Sequence, residues 1–137
     1  MSLVAHWRLE GNATDRLGAH DGYERGSVSY SSGKIGDCYD ATDGSNTGVE
    51  LIQDTPFTQY ENYYSFSLWF KSTTTSGDNG ARIISRDASE FPSVILHQGD
   101  SSPQTIDFYE ATGTNSGSAS VNEWHHLAFS IDVGQNE

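Results

Sequence analysis

Cysteine is nearly missing from this chain: Cys38 stands alone among 137 residues, which excludes an intramolecular disulfide and a thiolate metal cluster. Basic residues are scarce as well. Seven Lys and Arg face nineteen Asp and Glu, a net charge of −12. So acidic a surface repels nucleic acid and anionic lipid, and neither is expected as a partner. It favours solubility and tolerates salt and divalent cations. No apolar run approaches the roughly 18 residues of a membrane span, so no membrane insertion is expected. The opening "MSLVAHWRLE" lacks the basic and then apolar segments of an export signal. Helical periodicity with caps is also absent, apart from a short turn near "TPFTQYEN".

What is present is alternation. Aromatics make up 12 % of the residues, and they recur with a period of two. In "LVAHWRL", Leu3, Ala5, Trp7 and Leu9 share one face, with Val4, His6 and Arg8 on the other. In "YSFSLWFK", Tyr64, Phe66, Leu68 and Phe70 alternate with Ser65, Ser67, Trp69 and Lys71. In "HHLAFSI", His125, Leu127, Phe129 and Ile131 alternate with His126, Ala128 and Ser130. Each pattern predicts a half-buried strand. Weaker strand signals are "GYERGSVSY", "CYDA", "GVELI", "ARIISR", "SVILH" and "TIDFYE". Glycine-rich turns separate them, and "TTTSGDNG" and "ATGTNSGSAS" read as exposed loop tips between strands. Short strands at this spacing predict an all-β fold, an antiparallel β-sandwich formed by residues 1–137 as one domain.

Five ordered motifs add to that reading. "LVAHWRLEGNATDRLGAHDG" is followed by "GKIGDCYDATDGSNTGVEL", "YSFSLWFK", "ARIISR" and "NEWHHLAFSID". Together they resemble a laminin-G-like domain of the concanavalin A-like lectin/glucanase superfamily, with His6 and Arg8 standing where the family usually has an aromatic residue and Pro. The resemblance implies a jelly roll of two antiparallel sheets, with Trp7, Trp69 and Trp124 at mostly core positions. It also implies a rim loop at "GNATDRLGAHDG" that contributes to a structural Ca²⁺ site. On that basis Asp15 and Asp21 would supply carboxylates and Asn12 a side-chain carbonyl, joined by Asp40 or Asp43 from "DATDGSN". Calcium takes six to eight oxygens, and glycine-permitted turns can provide them. Turn chemistry is the alternative, because Asn and Asp side chains also bond their own backbone in such loops.

No catalytic residues are expected. A retaining glycosidase needs two carboxylates about 5–5.5 Å apart, which a strand supplies on one face. "IDFYE" instead puts Asp107 and Glu110 three positions apart, on opposite faces of a regular strand. A G-x-S-x-G nucleophile elbow is missing too. His125 and His126 point to opposite faces, so one ion cannot take both, and His125 reads as a core histidine. Sugar rings stack on exposed aromatic faces, and Tyr60 and Tyr63 in "QYENYY" are the surface candidates for such contact. The function expected is non-catalytic recognition or assembly: a lectin-like, glycan-binding component of a bacteriophage virion surface, or a carbohydrate-binding adhesion domain of a larger extracellular protein. Partners would be a glycan or host-surface receptor, and other virion subunits. "VGQNE" reads as the start of a hairpin turn whose return strand is expected from a continuation or from a self-associating copy.

Overall fold

The computed structural model describes residues 3–41, 47–51, 63–73, 79–85, 93–97, 104–110 and 113–132. Ten strands occur in them: β1 (Gly22–Arg25), β2 (Ser29–Ser32), β3 (Asp37–Asp40), β4 (Gly48–Leu51), β5 (Tyr63–Phe70), β6 (Asn79–Ser85), β7 (Ser93–His97), β8 (Gln104–Glu110), β9 (Gly113–Ala119) and β10 (His125–Asp132). There is no helix among the described residues. The fold is all-β, as the period-two alternation predicts.

The chain divides into two compact units, Met1–Tyr64 with Ser130–Glu137, and Ser65–Phe129. In the first, β1 pairs antiparallel with β4 and β2 with β3. The β2–β3 connection is a tight turn in which Gly33 N–H donates to the Gly36 carbonyl at 2.8 Å. Gly36 has φ +66°, a left-handed conformation that glycine adopts without cost. In the second unit β6, β7, β8 and β9 form an antiparallel sheet in that order. β5 pairs with β10. Ring contacts give their register: Phe66 with Phe129, Trp69 with His126, Phe70 with His125. As one number rises by four the other falls by four, the signature of antiparallel neighbours.

Two expectations need correction. "LVAHWRL" does not form a strand; residues 3–9 make only an isolated bridge, Trp7 opposite Asp15. Alternation sets where side chains point, but a strand also needs a backbone partner. Here the N–H of His6 bonds a carboxylate instead, and Leu3 stays 69 % exposed. "ATGTNSGSAS", read as a loop tip, instead contains β9, which pairs with β8 along its whole length from Gly113 to Ala119. Its Gly, Ser, Thr and Asn carry no apolar period, yet a ladder needs only backbone N–H and C=O groups. The turn expected near "TPFTQYEN" lies outside the described residues.

Candidate functional site

The opening loop is built around one carboxylate. Asp15 is 2 % exposed, the largest fully buried side chain among the described residues. Its Oδ1 accepts N–H bonds from His6 (2.8 Å) and Leu17 (3.0 Å), and its Oδ2 from Ala19 (3.2 Å) and His20 (3.1 Å). Burial pushes the Asp15 carboxyl up, but the four N–H groups outweigh it and hold the carboxyl below the usual value. The backbone N–H of Asp15 in turn donates to Asp21 Oδ1 at 2.8 Å. Asn12 Oδ1 accepts from Thr14 N–H at 3.0 Å, an Asx turn. Gly18 N–H closes onto the Asp15 carbonyl, Gly22 N–H onto that of Ala13, and Trp7 Nε1 onto that of His20.

This geometry answers the calcium expectation in part. Asp15 is ringed by hydrogen-bond donors, which repel a cation, and its four acceptor directions are taken. Asn12 and Asp21 likewise spend a side-chain oxygen on the loop's own backbone. The cleft beside Asn12 is lined by Arg8, Glu10, Thr14 and Arg16, so two guanidinium groups border it. Asp40 ends β3, opposite Ser29, and Asp43 lies outside the described residues. Among the described residues no three of His, Cys, Asp and Glu gather closely enough to hold one ion. Asp15 as present does not fit a calcium ligand; it organises the loop.

A second feature lies on the β5–β10 ribbon. Phe66, Leu68 and Phe70 of β5, with His125, Leu127 and Phe129 of β10, are half-buried. Phe66 stacks on Phe129 with centroids 5.4 Å apart, and Phe70 on His125 at 5.5 Å. His125 Nε2 lies 3.0 Å from the Ser120 carbonyl, a contact that puts the proton on Nε2. His125 is therefore the packed, bonded histidine that its neighbours predict. The opposite parity faces solvent. There Ser65, Ser67, Trp69 and Lys71 of β5 and the residue after it are exposed, as are His126, Ala128 and Ser130 of β10.

Trp69 is 44 % exposed, which corrects its assignment to the core. Its ring meets His126 at 5.0 Å, tilted by 53°. Lys71 Nζ sits 5.3 Å from the centroid of the Trp124 ring, a cation–π contact in the same register. Asn122 anchors this end of the ribbon. It has φ +64°, and its N–H donates at 2.8 Å to the carbonyl of Ser72, which is itself buried. Of the tyrosines expected to bind ligand, Tyr60 lies outside the described residues, and Tyr63 opens β5 with its side chain outside them. The signal for Trp69 was its parity with Ser65 and Ser67.

A laminin-G-like family model, described as the concanavalin A-like lectin/glucanases superfamily, matches residues 43–136. The chain belongs to this superfamily. The match takes in β4 to β10 and leaves the Asp15 loop outside it. No curated protein and no solved structure matches the chain.

Proposed function

We propose that this chain is a non-catalytic recognition module that binds carbohydrate on the outward face of the β5–β10 ribbon. The observation that carries the reading is Trp69, an indole held 44 % exposed on a strand face whose neighbours Ser67 and Ala128 are small. A sugar's C–H face stacks on such a ring, and short neighbours leave room for it. Membership of a superfamily of lectins and glucanases supports a carbohydrate ligand. Binding without hydrolysis is supported by the carboxylates of β8. Asp107 accepts a hydrogen bond from Ser116 Oγ at 2.7 Å, and Glu110 is of opposite parity along the strand, so they do not make a glycosidase pair. The setting we propose is an outer surface, of a bacteriophage virion or of a cell, where glycans are met.

A glycan array with the intact chain tests this, together with an assay for released reducing ends. Retention of at least one glycan class, lost in Trp69→Ala and without product release, is the expected result. A silent array, or hydrolysis that disappears when a carboxylate is replaced, would overturn it.

A further inference from the structure

Resting on that reading, we infer that the ribbon face selects an anionic sugar, one whose ring carries a carboxylate or sulfate. Four side chains form a checkerboard. Trp69 lies across from His126, and Lys71 across from Trp124, so each indole is flanked by a nitrogen-bearing group both along and across the ribbon. Same-face neighbours on a strand are about 7 Å apart and adjacent strands about 5 Å apart, so the four groups cover roughly the footprint of one monosaccharide.

The chemistry of the four is complementary. An indole face attracts the weakly positive C–H groups of a pyranose. The Lys71 ammonium is held over Trp124, and cation–π contact leaves its remaining N–H donors directed away from that ring. An imidazole beside Trp69 adds a further donor. A neutral sugar would use the indole and leave the ammonium without an anionic partner. A sugar carboxylate or sulfate would take both, and hydrogen bonds to charged groups are about twice as strong as neutral ones.

Charge placement favours the same ligand. Lys71 is one of only two lysines in a chain of net charge −12, and it sits beside the exposed indole. The outward positions of 65–71 and 124–130 hold no carboxylate. Glu123 lies in the turn before Trp124, outside the strand. The acidic remainder of the molecule repels a polyanion at long range, so selection has to come from short-range contacts at these side chains.

The test is isothermal titration of the intact chain with uronic acid oligomers, sulfated galactose oligomers and neutral galactose oligomers, repeated with Lys71→Gln and Trp69→Tyr. Lys71→Gln is expected to weaken the anionic ligands about tenfold and leave neutral ones unchanged. Trp69→Tyr retains a ring and should weaken every ligand modestly. Quenching of indole fluorescence in the unaltered chain reports the stacking without any substitution. Equal binding of neutral and anionic oligomers, with Trp69 still required, would overturn the inference and leave carbohydrate recognition standing. Anionic binding indifferent to Lys71→Gln would overturn it as well. Binding of no oligomer in the series, together with a silent array, would overturn both readings.

Discussion

In residues 3–25 the most deeply buried side chain is a carboxylate, whereas the half-buried face of the β5–β10 ribbon is a row of phenyl, imidazole and aliphatic groups. Asp15 draws four backbone N–H groups, from His6 and from residues 17–20, onto two oxygens. The ribbon instead repeats modest ring contacts along a ladder. Order in the first region is therefore concentrated in one group, and in the second it is distributed. A concentrated arrangement fails when one atom changes. A distributed one degrades by increments.

Replacing Asp15 with Asn should cause the largest effect. One oxygen becomes an NH₂ group, so two backbone N–H donors lose their acceptor and face another donor. The melting temperature should fall on the order of 5 °C or more. Hydrogen exchange should quicken at Leu17, Ala19 and His20 while β7 and β8 keep their protection. Equal loss in both regions would break the comparison.

Acid should act next, and in the same place. The Asp15 carboxyl is held below its ordinary value. Its contribution is fully present above the unfolded value of about 3.9 and is lost as pH falls through the lower folded value. Below that lowered value the amides around Asp15 should exchange ahead of those in β7 and β8. Simultaneous exchange would show that no separate polar anchor exists.

Truncation in the ribbon should be milder and graded. Phe129→Ala removes a stacked, half-buried ring and should cost about 2 kcal/mol in urea unfolding. Trp69→Ala, from the exposed face, should cost under about 1 kcal/mol. Reversal of that order would place Trp69 in the core after all.

Legibility in the sequence followed the same division. β5 and β10 were readable because alternating Phe and Ser state both the strand and its buried face. Parity already put Trp69 outward with Ser65 and Ser67, while family resemblance put it in the core; parity was the better guide, since it reflects the pleat of this strand rather than an average over relatives. His125 was readable for the same reason. The Asp15 loop was singled out by its turn residues, but spacing alone does not say whether a carboxylate points toward solvent and a cation or inward to N–H groups. That direction is set by how residues 16–20 wrap back over it. "LVAHWRL" misled because its alternation is real while its backbone pairs only at the single Trp7–Asp15 bridge and the His6 N–H goes to a carboxylate. β9 was hidden because Ala119 at its end is its only apolar residue, too little for a period.

β9 has a consequence of another kind. Ser116, Gly117 and Ser118 are exposed, and a methyl group placed on Gly117 would meet nothing within 4 Å. The strand holds its register against β8 through main-chain bonds, and Ser116 Oγ adds a side-chain bond across the ladder to Asp107. At positions 116–118 its letters are thus nearly free of its shape, while Ala119 is buried. Over generations such a segment can accumulate substitutions, and in the laboratory it can accept a grafted tripeptide, while the β8–β9 pairing goes on reading the same.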